Sequence, residues 1–264
     1  VFALGLGCYY LGAQAVWLGN TPQWLNGSNW STGIAPNSCS DDALIPASPS
    51  GGFFPLIGLA SIQVGNLTLE DGASLTVNNQ PLNVCGNLTG GLIGIALING
   101  NANGRVVLNG SSAQVVDGQF EINTLRINNA TGVQMQAGAA LDIHRALELQ
   151  AGNFDVTNGY LTFRSASAGS IAILDNFSAG FNGTLSGSAT IQRFVPVGGF
   201  NQHYFGTPVT AATFAQLGAS GTPGFVIPTA NCDESQVAGN SPYGTVFQWH
   251  DDVPANASCL FNGW

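Results

Sequence analysis

Three kinds of residue in this 264-residue chain could do chemistry: its cysteines, its clustered acids and a run of tryptophans. Cys8 falls in an apolar N-terminal stretch, which leaves Cys39, Cys85, Cys232 and Cys259. Four thiols in an exported chain favour disulfides, and four allow three connectivities. Cys232 with Cys259 is the preferred bridge because both lie in one C-terminal stretch; Cys39 with Cys85 would then tie the N-terminal region to the next. Their spacings do not match a zinc site. The acids gather at Asp41-Asp42, Asp233-Glu234 and His250-Asp251-Asp252. Paired carboxylates on loops can hold calcium, and an extracellular location would suit that metal. Adjacent residues rarely ligate one ion together, however, and no spaced Asp-x-Asp-x-Asp loop is present, so solvated turns are the better reading and no cofactor is implied. Trp17, Trp24 and Trp30 fall within fourteen positions. Flat indole faces suit pyranose rings, which makes these three the ligand-binding candidates. A bulky cap over an open strand edge accounts for them better.

These residues must be held by something, and the stretch from Phe120 to Phe163 says what. Leu125-Arg126-Ile127, Val133-Gln134-Met135 and Leu141-Asp142-Ile143 are apolar–polar–apolar triplets set between Gly, Asn, Ala and Thr. The set recurs as Leu147-Glu148-Leu149, Phe154-Asp155-Val156 and Leu161-Thr162-Phe163, at separations of 22, 21 and 20 (125 to 147, 133 to 154, 141 to 161). Three strands per rung at a period near 21 predict a right-handed parallel β-helix. Ile62-Gln63-Val64, Leu67-Thr68-Leu69, Leu75-Thr76-Val77 and Leu82-Asn83-Val84 extend it toward the N-terminus. Alternation sends Leu, Ile and Val inward and the polar residue outward. Asn66, Asn87, Asn109 and Asn128-Asn129 recur about one rung apart, which predicts a partial Asn ladder at one turn. Six or seven rungs at about 4.8 Å each give a rod on the order of 30 Å long.

Composition agrees with a solenoid. Only 7% of residues are charged, lysine is absent, and there are 36 glycines. Turns need Gly and Asn, and uncharged polar side chains stack in register between rungs. A net charge of −9 disfavours nucleic acid and anionic membrane as partners, because neither gains from releasing counterions here.

The frame also places the charges. Arg126 and Glu148 share the middle of one triplet a rung apart, which predicts an outward ion pair worth at most about 1 kcal/mol if exposed. Arg105, Arg126, Arg145 and Arg164 recur at spacings of 21, 19 and 19, but Arg145 precedes its triplet and Arg164 follows its own, so this ladder reads as coincidence. A β-helix enzyme acting on acidic polysaccharide would cluster carboxylates with Lys or Arg on one face. Here Asp142, Asp155 and Glu148 are assigned to different faces, which argues against an Arg126–Glu148–Asp142 site. His144 follows Ile143 at a turn with no partner to make it catalytic, and His203 sits among aromatics as a packing residue. Asn-x-Ser/Thr triplets are abundant, as chance predicts in so Asn- and Thr-rich a chain.

Four regions follow. Residues 1–15 read as the end of a secretory signal peptide: an apolar run from Phe2 to Leu11, then Ala13-Gln14-Ala15 with small residues before the cleavage point. The run is too short to span a bilayer, so membrane contact is expected only through export or anchoring machinery. Its basic start is missing, and a fragment is expected at this end and at Trp264. Residues 16–56 form the cap and a loop, and 57–195 the β-helix. Residues 196–264, where Pro and aromatics replace the triplets, form a small C-terminal β module.

The chain resembles the large surface proteins of Bacteroidota exported by the type IX route. The resemblance rests on Trp17-Leu18-Gly19 through Asn29-Trp30-Ser31, Pro36 and Asp41-Asp42-Ala43-Leu44-Ile45 as an opening cap. Asn66-Leu67-Thr68-Leu69 with Gly72-Ala73-Ser74-Leu75-Thr76-Val77 is similar to the repeat. Ile191-Gln192-Arg193-Phe194 with Tyr204-Phe205-Gly206-Thr207-Pro208-Val209 is similar to the solenoid exit, and Tyr243-Gly244-Thr245-Val246-Phe247-Gln248-Trp249 with Gly263-Trp264 to the next module. The resemblance implies a secreted or outer-surface, adhesin-like protein with a C-terminal sorting domain, and no catalytic residues. The expected function is therefore a non-enzymatic extracellular scaffold, a rigid solenoid that displays or spaces binding modules for glycans or cell-surface components. The alternative is a carbohydrate-active β-helix that binds or cleaves polysaccharide as a lyase or hydrolase on one solenoid face.

Overall fold

Short runs of alternating apolar and polar residues, broken by Gly and Asn, leave each strand too short to bury its apolar side alone. Stacking the runs in parallel solves this, and the computed structural model does so over the residues it describes, 14–192 apart from 102, 166, 168, 169, 171 and 177. The result is a parallel β-helix of about six turns.

The first face is an eight-stranded sheet of Ala15–Val16, Ala43–Ile45, Leu67–Leu69, Leu88–Thr89, Gln114–Asp117, Val133–Met135, Asn153–Asp155 and Thr184–Ser186. The other two faces share an eleven-stranded sheet. On the second face lie Leu56–Ile57, Ser74–Val77, Ala96–Gly100, Tyr160–Phe163 and Ala189–Ile191; on the third lie Ile62–Val64, Pro81–Val84, Arg105–Leu108 and Ile173–Asp175. The long strands Gln119–Asn128 and Ala140–Ala151 bend at the corner and serve both, with a register shift between Ile122 and Thr124. The expected frame holds: Leu125 pairs with Leu147, Val133 with Phe154 and Leu141 with Leu161.

Inside runs one apolar column. On the third face Ile62, Leu82, Val106, Leu125 and Leu147 stack in register, and all are buried. Leu75, Ile98, Ile122, Ile143 and Phe163 do the same on the second. Each such side chain contributes about 1.5–3 kcal/mol, far more than the sparse charges can supply.

Side-chain oxygens reinforce the backbone ladder where the third face turns into the first. Asp42 Oδ1 accepts from the Asn66 N–H at 2.7 Å, Asn66 Oδ1 from the Asn87 N–H at 2.8 Å, and Asn87 Oδ1 from the Val115 N–H at 2.9 Å. The predicted Asn ladder is thus present at Asn66 and Asn87. Asp42, expected in a solvated turn, is its first rung. Asn109 and Asn129 leave the ladder: Asn129 is buried and donates to Ser112 O and Gln114 Oε1. Gly86 is required beside it, since a Cβ there would sit 2.5 Å from Asn66 Oδ1.

Strand pairing begins earlier than the expected coil start at 57. Ala15 pairs with Ala43 and Val16 with Leu44, so the cap is built on the first rungs rather than laid over them. The expected cleavage point therefore falls inside a strand: the Ala15 N–H donates to Asp42 O at 2.9 Å and its side chain is buried. Residues 1–13 of the expected leader and the 196–264 module, with Cys232, Cys259, His203, Asp233-Glu234 and His250-Asp251-Asp252, lie outside the described residues.

Leu147→Ala is expected to lower unfolding free energy by about 2–5 kcal/mol in a denaturant titration, because the rungs above and below hold the cavity open. Separately, the Thr157 hydroxyl and then its N–H hold the Asp155 carboxyl below its usual range. Its contribution is present at neutral pH and is lost as pH falls through that lowered value. An NMR titration of Asp155 is expected to show its midpoint moving up toward the ordinary Asp range in Thr157→Val.

Candidate functional site

The tryptophans form the cap core. Trp17, Trp24 and Trp30 are all buried, with ring centroids 6.4, 5.0 and 4.7 Å apart. Their indole N–H groups donate to Phe53 O, Pro36 O and Trp24 O at 2.7–2.8 Å. With no ring face open to solvent, the sugar-platform alternative for these three is corrected. Cys39 and Cys85 form the expected disulfide, Cα to Cα 5.3 Å, pinning the cap loop to the corner after Val84. Among the described residues no group of three or more His, Cys, Asp or Glu could hold a metal ion.

The polar chemistry lies on the second and third faces. Arg126 Nε donates to Glu148 Oε2 at 2.6 Å, as the shared triplet position predicts. The setting is not that of an exposed pair, since the two side chains retain 23% and 15% exposure. Arg105 Nη1 reaches the same oxygen at 3.4 Å, and the Phe181 ring lies 5.4 Å from the Arg126 guanidinium carbon. The coincidence reading of the arginine spacing is therefore corrected for Arg105, whose long side chain crosses two rungs to a shared carboxylate. Arg164 stays out of frame and binds Asp142 Oδ2 instead, through Nε at 2.9 Å and through Nη2. Asp155, Asp142 and Glu148 do occupy the first, second and third faces, so the structure does not assemble an Arg126–Glu148–Asp142 site.

A second cluster was not legible. Asn99, Gly100, Glu121, Asn123 and His144 line a shallow cleft of about 210 Å³ on the second face, where it turns toward the third. His144 Nε2 lies 3.2 Å from Glu121 Oε2, which corrects the expectation that His144 has no partner. The cause is register: Glu121 pairs with Asp142, and His144 lies two residues further along the same outward side. The Asn123 amide nitrogen donates to Gly100 O at 2.7 Å, so Asn123 is held in place, and no protein group among the described residues engages the Asn99 amide. The one available signal was the Asn spacing at this corner. Asn78 Oδ1 accepts from the Asn101 N–H at 2.9 Å and Asn101 Oδ1 from the Asn79 N–H at 3.0 Å, a second Asn ladder beside the cleft.

The surface also carries an apolar tip. Leu92, Ile93 and Ile95 are 72%, 90% and 44% exposed. Their loop is nonetheless anchored: Gln119 donates through its N–H to Gly91 O at 3.0 Å and through Nε2 to Leu92 O at 2.9 Å, and the Gly90 N–H donates to Asp117 O at 2.7 Å.

Glu148→Gln is expected to destabilise the fold by about 1–2 kcal/mol, because it leaves two half-buried guanidinium groups without a counter-charge. Arg105→Gln alone is expected to cost less, and thermal denaturation of the two variants checks the order. Comparison with known proteins finds no matching family model, no matching curated protein and no matching solved structure.

Proposed function

We propose that the chain is an extracellular, non-enzymatic scaffold of adhesin-like type, whose rigid β-solenoid displays contact elements at fixed spacing on an outer cell surface. The observation that carries this reading is the anchored apolar tip at Leu92, Ile93 and Ile95. Exposed apolar side chains on a loop fixed by backbone hydrogen bonds are a pre-organised contact, and large exposed apolar groups mark interaction sites. The disulfide supports an oxidising compartment, consistent with secretion by the route that the resemblance implies. Pairing of Arg126 and Arg105 with Glu148, and of Arg164 with Asp142, commits much of the charge on these faces to holding rungs together.

The second reading, a carbohydrate-binding or carbohydrate-active solenoid, is favoured by the polar cleft around Glu121 and His144. The partners it names are extracellular glycans. Cells displaying the full chain are expected to adhere to neighbouring cells, and Ile93→Asp is expected to abolish most of that adhesion without lowering thermal stability. Equal adhesion by the variant would contradict the display role. Release of reducing ends from a polysaccharide panel by the purified chain would move the assignment to the enzyme reading.

A further inference from the structure

From the cleft on the second face we infer a binding site for neutral, hydroxyl-rich ligands, the chemistry of an uncharged glycan; the inference deepens the second reading above and rests on it. The cleft is lined by two amides, one carboxylate, one imidazole and the backbone at Gly100. Each amide offers both donors and acceptors, as each sugar hydroxyl does, and a carboxylate accepts from two neighbouring hydroxyls at once.

The groups are partly committed in a way that leaves the right valences open. Asn123 spends its amide nitrogen on Gly100 O, which orients the side chain, and Glu121 Oε2 faces His144 Nε2 at 3.2 Å. The Asn99 amide and Glu121 Oε1 have no protein partner among the described residues. Asn99, Glu121 with Asn123, and His144 come from three successive rungs. The strands that carry them are about 4.8 Å apart, so the polar groups form a short row across the rungs.

The same inventory disfavours other ligand classes. An acidic sugar or phosphate would meet Glu121 in the cleft lining; Arg126 and Arg164 are held by Glu148 and Asp142, and the exposed cation beside the cleft is Arg145, next to His144 in sequence. A transition metal would find one imidazole and one carboxylate, too few strong ligands for a closed site.

The test is a neutral-oligosaccharide array on the full chain, followed by calorimetric titration of the best hit beside digalacturonate. Binding of a neutral oligosaccharide is expected, weakened about tenfold or more in Asn99→Ala and in Glu121→Gln, the size of one lost hydrogen bond to a desolvated partner. Asn99 is exposed and its amide has no hydrogen-bond partner among the described residues, so Asn99→Ala is expected to keep the fold, and an unchanged melting curve verifies this. A blank array, equal affinity in Asn99→Ala, or tighter binding of digalacturonate than of the neutral hit would overturn the site. The reducing-end assay stays separate: binding without turnover supports the site and removes only the enzyme form of the reading.

Discussion

Each rung of this molecule completes the backbone hydrogen bonds of the rung below it, and that constraint sets everything else. Parallel strands in register repeat at about 4.8 Å, so a side chain at one position must tolerate its counterpart directly above. Inward, the consequence is a column of Leu, Ile, Val and Phe with no room for a charge. Outward, it is a set of ladders in which like charges would repel and opposite charges, amides and hydroxyls are favoured. The scarcity of charge follows from this geometry more than from any functional demand.

The two ends of the column face different problems. At the N-terminal end Ala15–Val16 adds a strand to the first face while Trp17, Trp24 and Trp30 fill the mouth, with buried Asn29 satisfied by Thr21 and Gln23. The Cys39–Cys85 bridge then fastens this cap two rungs into the stack, closing a 46-residue separation. Toward the other end of the described stack, Ile173 and Leu174 are partly exposed, and the apolar column thins.

Much of the fold was legible because triplet alternation and rung period are local and repetitive. Leu125 over Leu147 and Arg126 beside Glu148 follow from counting residues. What escaped depends on side-chain reach and on corners. Arg105, whose place in the arginine spacing reads as coincidence, shares Glu148 because a guanidinium spans more than one rung. Gln114 is polar but buried, accepting from the Gly110 N–H and donating to Val84 O, as a polar plug at a corner. The Glu121–His144 contact depends on a strand continuing through a bend, where the sequence suggests a turn. The apolar tip at Leu92 and Ile93 carries no signal in the sequence, since hydrophobicity alone does not say which residues a loop holds outward.

The most direct test of in-register stacking is pairwise disulfide trapping at outward positions, with bonds mapped by mass spectrometry. Val115 pairs with Gln134, and Gln134 with Asp155. Cysteines at 115 and 134, or at 134 and 155, are predicted to link readily under mild oxidation. Cysteines at 115 and 155, two rungs and about 9–10 Å apart, are predicted not to link, because a disulfide needs its Cα atoms within about 7 Å. Linking of 115 with 155 in preference to either adjacent pair would contradict the stacked register and the column built on it.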